Sequence, residues 1–469
     1  MKKLAIALVC LLLAGAAGAW YFLRTNDKAR NVLPADATSV AVLDPIELIQ
    51  GLGLSPEDVG NLDGDMKDLI EAFDLTNPVY AFTTEGNSSC IALNVRDADK
   101  LKKAASNFNF ASEEQGGYQW IASSNAIGCF DKEKLLLCGP VSTSEQNALR
   151  PELLKLMKQS GQEVPILEKV DGQKGFLRLC SSLNSIPKDQ LPPGYDASGA
   201  FLNTSLSFGK QDITLSAKVE DKDGKPYSGR PEGEELLCPI KGLLPTVLPD
   251  QPFAWFSIGV NGEQLLKFLR IGPQVSAMLM MLNVTFFDAD LLLKAINGDV
   301  VVMMPKADLE RHEVLITAEI SNSDFLKNAD DWDTTSSVDD MGLRKRGEND
   351  YVFSFQGEQV FWGVRGGLLY ISSSESLANQ VLQESGSGLL QPKVAGKYMC
   401  GSIDIAQLVQ NYAPLMLILS AVPQLHDAVT AIDKLTFSAD TPQSFELSLQ
   451  TNKPVKDVMS NLVKLLSRK

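Results

Sequence analysis

A passage near the N-terminus, NVLPADATSVAVLDPIELIQ (Asn31–Gln50), returns far along the chain as TVLPDQPFAWFSIGVNGEQL (Thr246–Leu265). Further pairs follow in the same order. NPVYAFTT from Asn77 matches NGDVVVMMP from Asn297, and CIALNVRDADKLKKAA from Cys90 matches VLITAEISNSDFLKNA from Val314. The long stretch from Gly117 matches that from Asn349, and KGFLRLCSSL from Lys174 matches GKYMCGSIDIAQL from Gly396. LNTSLSFGKQDITLSAKV from Leu202 matches KLTFSADTPQSFELSLQTN from Lys434. Each match is weak alone, but their shared order implies an internal duplication. Whatever one unit folds into must then be built twice. A chain of 469 residues is also too long for one core.

Within one unit the periodicities alternate. SVAVLD reads as a strand and PIELIQGL as a helix, with Asp44 as N-cap and Pro45 in the first turn. DMKDLIEAF is a second helix, VYAFTT and CIALNV are strands, and DADKLKKAASNF is a helix opened by aspartate. YQWIAS, AIGCF and KLLLC are three further strands; STSEQNALRPELLKLMKQS is an interrupted helical stretch; a hairpin turns around Gly209-Lys210. Such a mixture predicts an α+β fold. It consists of two tandem homologous units of mainly antiparallel sheet with packed helices, preceded by one N-terminal apolar helix. The expected boundaries are residues 1–24 for the apolar segment, 25–30 for a linker and 31–225 for the first unit. A linker at 226–241, rich in Gly, Pro and charge, precedes the second unit at 242–469.

Lys2 and Lys3 precede an uncharged run from Leu4 to Leu23, closed by Arg24. Two readings compete. The run is long enough for an uncleaved signal anchor, with Trp20, Tyr21 and Phe22 as an interfacial belt. Ala17–Ala19 instead offers a signal-peptidase site. Either reading sends the rest out of the cytoplasm. The expected location is the bacterial cell envelope, anchored in the inner membrane with the body in the periplasm; the alternative is release after cleavage. A net charge of -15 argues against nucleic acid as a partner.

The export signal, the residues Val32, Leu33, Pro34 and Ala37 before the first strand, and the long duplicated body resemble a family of Bacteroidetes envelope proteins defined only as a domain of unknown function. The resemblance implies an extracytoplasmic location and no reaction. Members of that family often carry a lipoprotein cysteine, from which this chain departs. In the same group, Asp followed by Thr or Ser and a small or apolar residue marks O-glycosylation, which implies Thr334 in Asp333-Thr334-Thr335 as an acceptor.

Catalytic and metal motifs are absent from the sequence. The two histidines, His312 and His426, lie far apart and read as structural or surface residues. No G-x-S-x-G occurs, and the S-x-x-K matches at Ser185 and Ser207 fall on a proline-bearing stretch and a hairpin turn. No CxxC, calcium-loop or dinucleotide-loop spacing is present. Cys129 and Cys138 flank a tight turn and offer a disulfide; small buried thiols are the competing reading.

One asymmetry separates the copies. PQVSAMLMMLNVTFF (Pro273–Phe287) and YAPLMLILSAVPQL (Tyr412–Leu425) are apolar where the first copy is polar. Met278, Leu279, Met280, Met281, Leu415, Met416 and Leu417 are therefore the candidate partner surface, against burial in the core. The expected function is a membrane-anchored extracytoplasmic binding or scaffold protein. It needs no catalytic, cofactor or metal site, and its partner is an envelope protein or apolar ligand. An envelope hydrolase using carboxylates that no motif reveals, and a purely structural envelope protein, are the alternatives.

Overall fold

A computed structural model describes residues 27–54, 64–84, 89–191, 194–231, 233–242, 252–285, 288–307, 313–327, 341–355, 357–381, 394–411 and 423–467. The fold is mixed α+β, dominated by antiparallel sheet, and the chain divides into two units. One holds the chain up to Pro187, Ser198–Lys225 and the stretch from Thr451 onward; the other holds Lys188–Ala197 and Pro226–Gln450.

In the first unit, β1 (Ser39–Leu43) turns Val40 and Val42 inward, as its alternation requires. The Asp44 carboxylate then caps α1 (Pro45–Gly51), accepting from the amides of Ile46 and Glu47 at 3.1 and 3.2 Å. Next come α2 (Gly64–Glu71), β2 (Val79–Thr83), β3 (Ser89–Asn94) and α3 (Ala98–Asn107). A meander follows, with β4 (Ala111–Gln115), β5 (Tyr118–Ala122), β6 (Ile127–Phe130) and β7 (Lys134–Cys138). After α4 (Thr143–Met157) and α5 (Pro165–Asp171), β8 (Leu177–Ser182), β9 (Phe201–Phe208) and β10 (Asp212–Glu220) complete the strands. The order across the sheet is β4-β5-β6-β7-β3-β2-β1-β8-β9-β10, antiparallel throughout. The interrupted stretch expected around Pro151 is one continuous helix, α4, with the proline inside it.

Two apolar layers sandwich this sheet. One face packs Val40, Phe82, Leu136 and Trp120 under Leu153 of α4 and Leu167 of α5. The other packs Leu93, Phe130 and Leu135 under Ile70 of α2 and Leu101 of α3. Burying side chains of this size stabilises by roughly 1.5–3 kcal/mol each.

The chain enters this core at once. Asn94 on β3 accepts from the amides of Lys28 (2.8 Å) and Ala29 (3.0 Å) and donates to Asp27 (3.0 Å), whose other oxygen takes the Tyr80 hydroxyl. Ala29, Val32 and Leu33 are completely buried, and Arg30 pairs with Asp171 at 2.8 Å. From Asp27 on, the segment expected as a linker is therefore packed structure. The apolar run Leu4–Leu23 lies outside the described residues; no described helix is long and apolar enough to cross a membrane.

The second unit starts with β11 (Ala254–Asn261), then α6 (Gly262–Ile271), α7 (Pro273–Thr285), α8 (Ala289–Ala295), β12 (Ile296–Met304) and β13 (Leu315–Ile320). Its meander is β14 (Met341–Gly347), β15 (Asp350–Phe355), β16 (Glu358–Arg365) and β17 (Leu368–Ser372). It ends with α9 (Glu375–Gln380), β18 (Met399–Asp404), α10 (Ile405–Asn411), α11 (Pro423–Thr430), β19 (Ile432–Ala439) and β20 (Ser444–Thr451). The strand order is β14-β15-β16-β17-β13-β12-β11-β18-β19-β20, the same path as in the first unit.

The last helix, α12 (Val455–Ser467), belongs to the first unit, whereas the sequence places residues 242–469 in the second. The amides of Thr451 and Val455 donate to the carbonyls of Gln211 (2.8 Å) and Lys210 (3.1 Å) in the β9–β10 turn. Met459 then packs on a cluster of Leu48, Leu52, Phe176 and Phe208, whose two phenylalanine rings stack 4.4 Å apart. Gly53, at φ +64°, lets α12 approach: a Cβ there would stand 2.5 Å from the Lys456 carbonyl oxygen.

Candidate functional site

Three consecutive helices, α6, α7 and α8, stand between β11 and β12 in the second unit, where the described residues of the first unit have α1 and α2 between β1 and β2. Asn261 caps α6 by accepting from the Gln264 amide at 3.2 Å. Asn283, near the end of α7, accepts from the Ala289 amide at 2.7 Å, and Asp288 caps α8 through Leu291 at 2.9 Å. Arg270 and Asp290 pair across α6 and α8. Leu279 is the seat of α7: it is 6% exposed and packs with Leu266 and Ala289.

Around that seat the helix turns apolar residues outward. Met278, Met280 and Met281 are 55%, 61% and 68% exposed, and Ile271 at the end of α6 is 53% exposed. No charged residue occurs from Ile271 to Phe287. Of the expected surface residues, the three methionines are thus exposed and Leu279 is core. Ile271 joins them; its place in a helix of its own hid it from the sequence reading. Leu415, Met416 and Leu417 lie outside the described residues, as do Thr334 and His312.

The cysteine pairing differs from expectation. Cys138 on β7 is bonded to Cys90 on β3, not to Cys129. Register decides this: Cys129 stands opposite Leu136 across the β6–β7 hairpin, whereas Cys90 and Cys138 are direct partners with Cα atoms 4.0 Å apart. Cys129 is a free, buried thiol, as are Cys180 and Cys400. Burial pushes the thiols of Cys129 and Cys180 up to about 12 and that of Cys400 up to about 11. None of these three supplies a thiolate at neutral pH.

A nearly buried ion pair anchors one network of the second unit. Asp350 on β15 accepts from Arg365 at 2.5 Å and from the Tyr370 hydroxyl, and Arg365 also stacks 4.5 Å above the Tyr370 ring. Burial, then the hydrogen bond to Asp350, raises the Tyr370 pKa. Arg365 reaches on to the Ala378 carbonyl of α9, so the network ties the meander to its covering helix. Every named group has a partner, which marks a structural tie. A cavity of about 450 Å³ opens on the same unit, bounded by Trp255, Cys400, Ser402, Lys434, Thr436 and Ser438. The first unit has one of about 570 Å³ beside Phe176, Phe208, Lys210 and Lys456. Asp404, Asp433 and Glu446 also line the first of these cavities. No cluster of His, Cys, Asp and Glu fit for a metal occurs among the described residues.

Among curated proteins, none matches the chain. Among solved structures, crystal form IV of TP0453 aligns at 14% identity over 40% of this chain and 79% of that one, with a TM-score of 0.29. Crystal form III aligns at 12% identity over 44% and 83%, also at 0.29. The DNA polymerase sliding clamp of Pseudomonas aeruginosa aligns over 96% of this chain and 98% of its own, at 9% identity and a TM-score of 0.10. Similarities this low carry no functional argument. The sequence profile of one family matches residues 68–384, and its description names no reaction: the chain belongs to the family of the domain of unknown function DUF4836.

Proposed function

We propose that this chain is a non-catalytic binding or scaffold protein of the bacterial envelope, held at the inner membrane by its N-terminal apolar run, with α7 as its docking surface. The two units are read as tandem homologous copies, which their common strand path supports. The observation that carries the reading is the exposed apolar side of α7, seated by Leu279 and free of charge. Soluble monomers rarely leave such helices bare, and exposed methionines adapt to varied apolar partners. The Cys90–Cys138 disulfide supports an oxidising compartment. The occupant of this reading is an envelope protein presenting an apolar face.

A photo-crosslinking residue at Met280, in the full chain in its own membrane, tests it. Discrete protein adducts at Met280, absent when the probe is moved to the exposed Lys102 of α3, are expected. Adducts to lipid alone, or none, would remove α7 as a protein-docking surface.

A further inference from the structure

The cavity of about 570 Å³ in the first unit is walled by four separate stretches: the end of α1, Gly175-Phe176 before β8, the β9–β10 turn and the start of α12. Sites for small organic molecules run from about 300 to 1,000 Å³. Its apolar part is the stacked pair Phe176 and Phe208, whose ring planes differ by 14°. Gly51, at the end of α1, leaves that pair its place, because a Cβ there would run into the Phe208 ring.

Two ammonium groups share the same space. Lys210 belongs to the β9–β10 turn and Lys456 to the first turn of α12. The Val455 amide, donating to the Lys210 carbonyl at 3.1 Å, holds the two stretches together. Both lysines are exposed, and neither has a salt bridge or side-chain hydrogen bond among the described residues. Glu47 on α1 is the one acid among the described residues that bound the cavity, and it pairs with neither. In a chain of net charge -15, two lysines against one carboxylate reverse the local sign. Like charges brought together repel, and a bound anion relieves the repulsion.

A small inorganic anion would leave Phe176 and Phe208 in water, and a neutral oil would leave both lysines without a counter-ion. We infer that the cavity binds an organic carboxylate with an apolar body, the body against Phe176 and Phe208 and the carboxylate at Lys210 and Lys456. Such a ligand touches both α12 and the turn it packs on, so binding also stabilises the first unit. The inference is independent of what docks on α7.

Binding of phenylbutyrate to the full chain in lipid nanodiscs, with empty discs subtracted, tests it. Phenylbutanol offers the same body without the charge, and acetate the charge without the body. Saturable binding of phenylbutyrate is expected, about tenfold or more tighter than either of these, and weaker as salt rises. Lys210→Ala with Lys456→Ala should weaken it about tenfold or more with an unchanged thermal melt. Lys210→Arg with Lys456→Arg keeps both charges and should hold the affinity within about threefold. Glu47→Gln removes the opposing charge and should tighten binding about two- to threefold, a gain that misfolding cannot produce. Equal affinity for phenylbutanol would make the cavity a neutral crevice and overturn the inference. So would an affinity untouched by the paired alanine substitutions, or no saturable binding of phenylbutyrate to the wild-type chain.

Discussion

Asp350 shows how one side chain holds a meander closed. Its carboxylate satisfies both the Arg365 guanidinium and the Tyr370 hydroxyl in a region where Arg365 and Asp350 are 11% and 14% exposed. Asp350→Ala leaves a nearly buried cation without its anion, and is expected to cost about 3–5 kcal/mol in denaturant melts. Tyr370→Phe keeps the ion pair and should cost only about 1 kcal/mol. The reverse ranking would show that the ring, not the charge, holds the network. The disulfide makes a second residue-scale prediction. Cys90 and Cys138 are separated by 48 positions, and closing a loop of that length removes about 4 kcal/mol of unfolded-chain entropy as an upper figure. Cys90→Ala with Cys138→Ala should therefore lower stability by about 2–4 kcal/mol. Cys129 should alkylate only after denaturation, and peptide mapping should join Cys90 to Cys138. Asp74 gives a pH dependence. Burial opposes its ionisation, but hydrogen bonds from Thr76 and the charge of Arg96 outweigh that and hold its pKa below the ordinary 3.8. A lowered carboxylate pKa stabilises above 3.8, and that contribution is lost as pH falls through the folded value. Acid melts should show this loss, and Asp74→Asn should flatten it. Pairing at this scale was only half legible in sequence: the cysteines were visible, but their partners depended on a register two strands away.

At the scale of elements, legibility followed polarity. Ser39–Leu43 announces itself by buried alternation, Lys134–Cys138 by a short apolar run, and Asp44 with Pro45 marks a helix start. β4 and β14 gave no such signal. ASEEQ is exposed throughout, and LRKRG offers a single apolar residue, Leu343, which packs on the core of the second unit. Pro151 suggested a break in α4, yet Leu153, Leu156 and Met157 beyond it are buried, and that packing carries the helix through. Helix α7 divides its residues sharply. Leu279→Ala should cost about 2–5 kcal/mol, since it empties the contact with Leu266 and Ala289. Met278→Ser and Met280→Ser should each change stability by less than about 0.5 kcal/mol. Thermal melts of the three variants check this division, and a large loss from the methionines would place them in a contact within the fold. Residues 415–417, paired with α7 in the sequence reading because both runs are apolar, lie outside the described residues.

At the scale of the whole molecule, one strand path occurs in both units, but the chain is not a string of two independent pieces. Lys188–Ala197 belongs with the second unit and the stretch from Thr451 onward with the first. Sequence matching follows the strands and so could not see this exchange, because α12 lies past the last matched pair and its partners, Leu48, Phe176 and Phe208, are distant in the chain. A chain ending at Asn452 should lose at least about 3 kcal/mol from its first unit, since Val455, Val458 and the cluster beneath them lose their burial. Differential scanning calorimetry would resolve this as an earlier first transition. Dye binding by the exposed cluster should appear with it.

The return of α12 also has a meaning in time. Synthesis runs from the N-terminus at roughly 5–20 residues per second, so the first unit waits on the order of tens of seconds for the helix that finishes it. During that interval Leu48, Leu52 and Phe176 lack the cover that Met459 gives them, and only a chain that carries α12 conceals them. The helix thus doubles as a maturity mark: a product broken or stalled before it shows an apolar scar to proteases, and one that carries it does not. Pulse-labelled chains should stay protease-sensitive in the first unit until α12 is made, then become resistant within one step. Early resistance in nascent chains would show that the unit closes without α12.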